Sequence, residues 1–416
     1  MSSKRKSRRA EAAKPPRSAI APRGESAPRW LVAVSALAVA ALTLVVYGQT
    51  LAVPALDYED SYYLIRNPYV NVREPFTRLG AVWREPFFAN FHPVTTTTWL
   101  LDRALADKRR SFDARPFRAM HLVYAALGAV LLLPLLRRLG LPPALAVSGA
   151  VLFTVHPIHT EVVAWMSARK DLTALILVIL SMLAYLAARR SASPGEWWRR
   201  HALTALLTLL AVLAKPTAVV LPALYIACEF CAAGRDPKTR APSPLLIRTL
   251  GLAALFAAAG GILLVLFRIF LARYPSSGVW LAAVPLSLAA ALGLKIPAPS
   301  RLDAYRSGRE PALDVLTPAH LVYASVFAAC SAWTFWAQSA SGAIKGGLSL
   351  LPTLNLTFDA MASYIAKTFV PAYMAASYVW NEYPTVSLRG IVGASLVAGL
   401  VYAAWRLSGS PVLLLR

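Results

Sequence analysis

The sequence predicts an all-α integral membrane protein, a bundle of about nine to ten membrane helices. Of the 416 residues, 57% are hydrophobic and only 15% are charged, and the mean hydropathy is +0.53. Apolar runs recur from one end of the chain to the other, and several reach the roughly 20 residues that a helix needs to cross a bilayer. Short basic clusters stand beside these runs, as membrane topology requires.

The first 29 residues are predicted to form a disordered, basic cytoplasmic tail, because they are rich in Lys, Arg, Pro, Ser and Ala. The formal net charge of the chain is +23. Since its basic residues lie next to apolar runs, we interpret this charge as contact with a lipid bilayer, and we expect no nucleic-acid partner. Residues 30–416 are predicted to be one membrane-embedded domain.

The predicted membrane spans follow one another at 30–48, 119–136, 143–155, 172–189, 202–231, 246–271, 279–294, 319–338 and 389–407. Lys215-Pro216 stands in the middle of 202–231, where proline breaks a helix and a lysine is costly in lipid. Either one kinked helix crosses the membrane here, or two short helices meet at Lys215. We favour two short helices, because all basic loops then lie on the side of the tail.

That choice places four chemically unusual segments on the outer face, opposite the tail. They are the first outer loop 51–118, the stretch 156–171, Lys215 and the segment 339–388. Within the first outer loop, residues 95–106 are apolar enough for an interfacial helix.

Carboxylates cluster directly after the first span, in the sequence "LDYEDSYY". Among aromatic residues at a membrane surface, Asp57, Glu59 and Asp60 suit a general base or a metal ligand, because partial desolvation raises their basicity. A solvated, helix-capping turn is the simpler interpretation of the same residues. Together with His92 they make a divalent metal an option, although the sequence fixes no geometry for it.

The stretch "VHPIHTEVVAWMSARKDL" (155–172) holds six ionisable side chains between two apolar runs: His156, His159, Glu161, Arg169, Lys170 and Asp171. We expect a loop at the membrane surface with Val162, Val163 and Met166 toward lipid and Trp165 at the headgroups. Its basic residues would then lie beside a lipid phosphate, joined by Lys215. Further along, Lys367 lies on an amphipathic segment that precedes Tyr378. Basic groups around a carboxylate suit chemistry with a phosphate leaving group.

Together these motifs resemble a known family. "YEDSYYLIRNPYVN", "ANFHPVTTTTWLLD", "HPIHTEVVAWMSARKDL", "LAKPTAVVLP" and "YIAKTFVPAYMAASY" stand in the order and with the residue types of GT-C class membrane glycosyltransferases. The resemblance is to the transmembrane and tetratricopeptide-repeat O-mannosyltransferases and their bacterial relatives, and it covers roughly residues 30 to 390.

The resemblance implies a GT-C-like bundle that moves a sugar, mannose or another hexose, from a polyprenyl-phosphate carrier to an acceptor hydroxyl with inversion. The acceptor would be a protein Ser/Thr or a glycan, and the location a bacterial inner membrane. Glu59-Asp60 occupies the paired acidic motif, usually Asp-Asp, so the base is Asp60 or Glu59. We expect Asp60→Asn to impair transfer more than Glu59→Gln. The residues that would bind substrate are His92, His156, His159, Glu161, Arg169, Lys170, Asp171, Lys215, Lys367 and Tyr378.

The chain ends at Arg416, near where relatives continue into further helices and repeats, and the sequence contains no repeat of about 34 residues. We therefore expect a fragment or a shortened member without an acceptor-handling module. Two other interpretations stay open: an inactive membrane scaffold, and a multi-span transporter with a broken helix at its substrate site.

Overall fold

The structure is a computed structural model that describes residues 28–222 apart from 58, 89 and 192, then 224, 225 and 228, and finally 350–371 and 386–407. Helices joined by short turns make up these residues, with no strand among them, so the predicted all-α class is confirmed. Most of the predicted tail, the predicted spans 246–271, 279–294 and 319–338, and Tyr378 lie outside the described residues.

The helices are α1 (Arg29–Tyr47), α2 (Leu79–Val82), α3 (Pro93–Leu105), α4 (Ala114–Arg138), α5 (Pro143–Val155), α6 (Thr160–Ala164), α7 (Arg169–Ala188), α8 (Pro194–Ala214), α9 (Leu350–Phe369) and α10 (Leu388–Leu407). A helix, α3, is present where an interfacial helix is predicted, and its position at the membrane surface stays a prediction. A π-helical turn, Ser61–Ile65, and several 3₁₀ turns connect the longer helices.

Three helical stretches of the described part are long and apolar enough to cross a membrane: Arg29–Ala52, Ala114–Arg138 and Met166–Ala188. A fourth candidate joins α5 to Pro157–Ala164 through a bend of 52°. Apolar side chains on the outside of α1, such as Leu37 and Val45, are exposed, as expected of a helix that meets lipid tails. The chain is therefore an integral membrane protein, while the total number of its spans stays a prediction.

The bundle packs around α7, which contacts both α4 and α8. Where α7 meets α8, a small polar network crosses the apolar interior. The hydroxyl of Ser181 shares hydrogen bonds with those of Thr208 (3.1 Å) and Tyr225 (2.6 Å), and Thr208 is also 2.8 Å from the Tyr225 hydroxyl. Polar side chains inside a membrane bundle pair across helices in this way because lipid offers them no partner.

Prolines end the helices that surround the polar region. Pro157 disfavours helical backbone at His156, which is extended (φ −69, ψ 126), so α5 ends at Val155. Pro216 acts in the same way on Lys215 (φ −153, ψ 126), so α8 ends at Ala214. The predicted break of 202–231 at Lys215 is confirmed, and the membrane face on which it lies stays a prediction.

The stretch 156–171 is more compact than the surface loop we expected. It forms a 3₁₀ turn, then α6, then a second 3₁₀ turn before α7 begins. Val163 and Met166 are buried, so the expectation that they face lipid is wrong. Met166 packs against Tyr63 and Trp99, because the first outer loop folds back over this stretch.

Candidate active site at the start of α7

The two neighbouring carboxylates of the first outer loop have different surroundings. Asp60 is 1% exposed, and its two oxygens accept hydrogen bonds from the backbone N–H groups of Ser167 (2.8 Å) and Leu56 (3.1 Å). The Glu59 side chain is 33% exposed, and its Oε2 lies 3.0 Å from the Nζ of Lys170. Asp60 therefore joins two backbone segments, whereas Glu59 faces the open side of the site.

Lys170 lies between Glu59 and an aromatic ring. Its ammonium group is 4.6 Å from the centre of the Tyr63 ring, within the range of a cation–π contact. The side-chain amide of Asn90 donates to the Tyr63 hydroxyl at 2.6 Å. Burial, together with the charge of Glu59, raises the pKa of Tyr63 to about 12 despite this bond. The phenol is therefore protonated at neutral pH and does not act as a base there.

A second ion pair joins Lys215, at the break after α8, to Asp171 in the first turn of α7. Thr95 on α3 fixes this break, because its hydroxyl donates to the carbonyl of Ala214 at 3.0 Å. His92 lies within electrostatic range of both lysines. Its burial, helped by the charges of Lys170 and Lys215, lowers its pKa to about 3. His92 is therefore neutral, and both ammonium groups lie close enough to act on one ring.

Arg169 does not belong to the open part of the site. Its side chain is fully buried and forms an ion pair with the equally buried Asp102 of α3. It also donates to the carbonyl of Phe117 and lies over the ring of Tyr124 at 5.5 Å. The expectation that Arg169 meets a phosphate is corrected, because the helical rotation between neighbours turns it inward while Lys170 stays accessible.

The other predicted residues lie around this centre. His156 accepts a hydrogen bond from the N–H of Ile158 at Nδ1 (3.2 Å), so its Nε2 donates to the carbonyl of Thr368 at the end of α9 (2.9 Å). Glu161 is exposed, and the charges of Lys215 and Lys367 both act on it. The end of α9 thus lies near the site, and Lys367 with it.

A cavity of about 220 Å³ adjoins the Asp171–Lys215 ion pair, with Asp171 in its lining. It lies between α1, α4, α5 and α7, and most of its lining is apolar. Asp171 and His159 are its ionisable lining residues, and Tyr47 adds a hydroxyl that donates to the carbonyl of Thr154 at 3.0 Å. The arrangement joins a charged region to an apolar groove, which suits a ligand with a charged head and an apolar chain.

The structure offers no metal centre in the part of the chain that it describes. There, no three side chains of His, Cys, Asp and Glu come together closely enough to hold an ion. Both oxygens of Asp60 are engaged by backbone amides, and His92 is buried and acted on by the charges of Lys170 and Lys215. The arrangement therefore does not fit the metal site that the sequence left as an option.

The sequence interpretation overlooked Asp102 and Arg118. Arg118, in the first turns of α4, is 1% exposed and donates to the backbone carbonyls of Val53 (3.1 Å), Pro54 (2.7 Å) and Ala164. A signal was present, since each charge interrupts apolar sequence, where an ionisable group needs a partner. The partners themselves lie far away in the chain.

Comparison with known proteins supports the resemblance over part of the chain. No family model matches it. Protein O-mannosyl-transferase TMTC4 of Homo sapiens is 26% identical over 159 residues, which are 33% of this chain and 21% of that protein. In Drosophila melanogaster, protein O-mannosyl-transferase Tmtc1 is 39% identical over 114 residues (27% and 12%), and Tmtc2 is 26% identical over 188 residues (43% and 20%).

The chain therefore matches about a fifth or less of the length of these relatives. All of these relatives are named protein O-mannosyl-transferases. Over the aligned stretches, this chain is similar to the protein O-mannosyl-transferases of the transmembrane and tetratricopeptide-repeat family.

Proposed function

We propose that this chain is a membrane glycosyltransferase of the GT-C type. It moves a hexose, mannose in the first instance, from a polyprenyl-phosphate carrier to a hydroxyl group of a Ser/Thr acceptor, with inversion. The names of its relatives support the reaction class. The observation that carries the proposal is that two ion pairs, Glu59–Lys170 and Asp171–Lys215, join the beginning of α7 to the first outer loop and to the break after α8. Both lysines also act electrostatically on the neutral His92.

The donor phosphate would bind between the two lysines. Each ammonium group has three N–H donors, and each is paired here with one carboxylate oxygen. The remaining donors of Lys170 and Lys215 can bind phosphate oxygens, and charge-assisted bonds of this kind are the strong ones. They stabilise the phosphate in the donor and, more strongly, as the leaving group gains charge.

Glu59 is the better candidate for the base, because Asp60 is buried and both of its oxygens are engaged. In the transfer step, the acceptor oxygen forms a bond to the anomeric carbon. The bond from that carbon to the phosphate oxygen breaks, and its electron pair stays on the phosphate. The acceptor proton moves to the Glu59 carboxylate. Attack from the face opposite the phosphate inverts the anomeric configuration.

The apolar cavity beside Asp171 would take the first isoprene units of the carrier. Its polar residues, Asp171 and His159, stand where the charged head would continue toward Lys215. The rest of its wall is built mainly from side chains of α1, α4, α5 and α7. A mostly apolar pocket with a few placed polar groups is the usual form of a small-molecule site.

We place the site on the non-cytoplasmic face of a bacterial inner membrane. The site lies at the beginning of α7, and basic residues, Arg189 and Arg190, follow directly after its last residue, Ala188. A helix of this length spans about 30 Å. Because basic residues gather on the cytoplasmic side, the opposite end with the site faces outward.

Transfer by the purified chain in lipid nanodiscs tests the proposal. A radiolabelled polyprenyl-phosphate mannose and a Ser/Thr-containing peptide should yield mannosylated peptide, and NMR of the product should show the inverted anomer. Polyprenyl-phosphate glucose, supplied in parallel, tests the choice of sugar. Absence of transfer with every lipid-linked hexose would favour an inactive scaffold. Uptake of sugar into proteoliposomes without any transfer would favour a transporter.

A further inference from the structure

Arg118 is buried in an unusual way for an arginine. All three of its polar nitrogen atoms donate to backbone carbonyl oxygens, and those carbonyls belong to two separate segments. Val53 and Pro54 lie in the chain that leads from α1 to Glu59, whereas Ala164 is the last residue of α6. One rigid planar group therefore joins the segment before Glu59 to the segment before Lys170.

Asp60 makes a second connection between the same two segments. Its carboxylate accepts from Leu56 on the first segment and from Ser167 on the second. The charge of Asp60 also acts favourably on the oppositely charged Arg118. Two buried, oppositely charged groups thus connect residues 53–56 to residues 164–167. Glu59 follows the first of these segments and Lys170 follows the second, and the two side chains are 3.0 Å apart.

We infer that Arg118 and Asp60 form a brace that holds Glu59 at its distance from Lys170, which makes Arg118 a positioning residue for the proposed transfer. This inference rests on the proposed function for its consequence in catalysis, although not for its geometry. Catalytic groups need to be held closely, since a misplacement of about 1 Å caused from a distance can cost about 10²-fold in rate. Arg118 itself touches neither donor nor acceptor, because its side chain is buried.

The variant Arg118→Lys tests the brace. Lysine keeps the positive charge, but its single ammonium group on a flexible stem cannot reproduce the planar fork that reaches three carbonyls. We expect kcat to fall by about 10²-fold. The Kd of polyprenyl-phosphate mannose should stay within about twofold, because Lys170 and Lys215 still carry their charges.

A second readout reports the geometry without any catalysis. Lys170 is largely buried against Glu59, so an amine-reactive reagent should label it slowly in the wild type, as mass spectrometry can follow. In Arg118→Lys its labelling should accelerate several-fold, while the exposed Lys108 keeps its rate. Arg115→Lys is the matched control, because Arg115 lies one turn away on α4, is exposed and pairs locally with Asp113.

The outcomes separate the brace from the proposed function. If Lys170 is labelled faster in Arg118→Lys but the wild type transfers no sugar, the brace is supported and the proposed function is refuted. Labelling of Lys170 at the wild-type rate in a folded Arg118→Lys protein overturns the brace, whatever happens to kcat. If Arg118→Lys does not fold, Asp60→Asn replaces it as the test, because it removes one acceptor of the second connection. Lys170 should then be labelled faster in Asp60→Asn, and an unchanged labelling rate overturns the brace as well.

Discussion

Replacing Asp60 by asparagine should mainly lower the stability of the folded protein. The Asp60 carboxylate accepts hydrogen bonds from the N–H groups of Leu56 and Ser167. Asparagine has only one acceptor oxygen, so its NH₂ group would face one of these two donors and leave it without an acceptor. A hydrogen bond to a charged group contributes about 1.5–3 kcal/mol, and a buried donor left without an acceptor adds to the loss. We expect a decrease of about 2–3 kcal/mol in the free energy of unfolding.

Glu59→Gln should behave in the opposite way. The Glu59 side chain is 33% exposed, and an ion pair that water can reach contributes about 0–1 kcal/mol. Its removal should therefore leave the thermal midpoint almost unchanged. Turnover should fall by about 10²–10⁴-fold, the usual cost of removing a general base.

Thermal unfolding in nanodiscs and turnover per folded molecule measure the two effects on the same samples. The midpoint should be lowest for Asp60→Asn, and turnover should be lowest for Glu59→Gln, which reverses the order expected from the sequence. Glu74→Gln is the control, because Glu74 lies in the same loop and pairs with a lysine, Lys108, at 2.9 Å on an exposed surface. An unchanged midpoint with lost turnover in Asp60→Asn would refute this reasoning and make Asp60 the base.

Three further predictions concern the surroundings of the site. Arg169→Met should lower the free energy of unfolding by about 3–5 kcal/mol because it leaves the buried Asp102 without its partner. Adding Asp102→Leu should restore most of this loss, and equal midpoints for the single and double variants would contradict the prediction. His92 has a pKa of about 3 in the folded protein, against an ordinary 6.5, so it stays neutral when folded. The free energy of unfolding should therefore decrease as pH falls below about 6.5, by about 2 kcal/mol at pH 5. His92→Gln should flatten the pH profile of the thermal midpoint, and a profile as steep as that of the wild type would contradict this. Lys215→Met should weaken donor binding by about tenfold or more, and an unchanged Kd would exclude Lys215 from the phosphate site.

Local sequence predicted the helices of the site well because strong local rules govern them. α5 has the bounds that the apolar run 143–155 predicts, and it ends because a proline follows His156. The break at Lys215 follows from Pro216 in the same way. The two breaks also bring polar residues together, as the contacts of Lys170 and Lys215 illustrate.

The roles of neighbouring residues could not be predicted, because contacts between distant parts of the chain decide them. Glu59 and Asp60 are adjacent carboxylates, and one of the two N–H groups that hold Asp60 is 107 residues away. Arg169 and Lys170 are adjacent cations, and only the position of Asp102 on α3 shows which of them turns inward. No periodicity in the sequence contains that information.

The brace shows the same limit at a single residue. Arg118 stands at the beginning of an apolar run, where a basic residue ordinarily indicates topology. Its three acceptors are backbone carbonyls, which every residue possesses, so no side-chain pattern could identify them. Only the folded arrangement of α4 against the first outer loop shows its role.

The central claim is that Glu59 serves the transfer step while Lys170 holds the donor phosphate. Equilibrium binding of polyprenyl-phosphate mannose and single-turnover transfer, measured on Glu59→Gln and Lys170→Met in nanodiscs, test it most directly. We predict that Glu59→Gln binds the donor as the wild type does but loses about 10²–10⁴-fold in transfer rate. Lys170→Met should lose affinity as well as rate, because the phosphate is charged before and after transfer. Wild-type affinity in Lys170→Met, or a wild-type transfer rate in Glu59→Gln, would contradict the account.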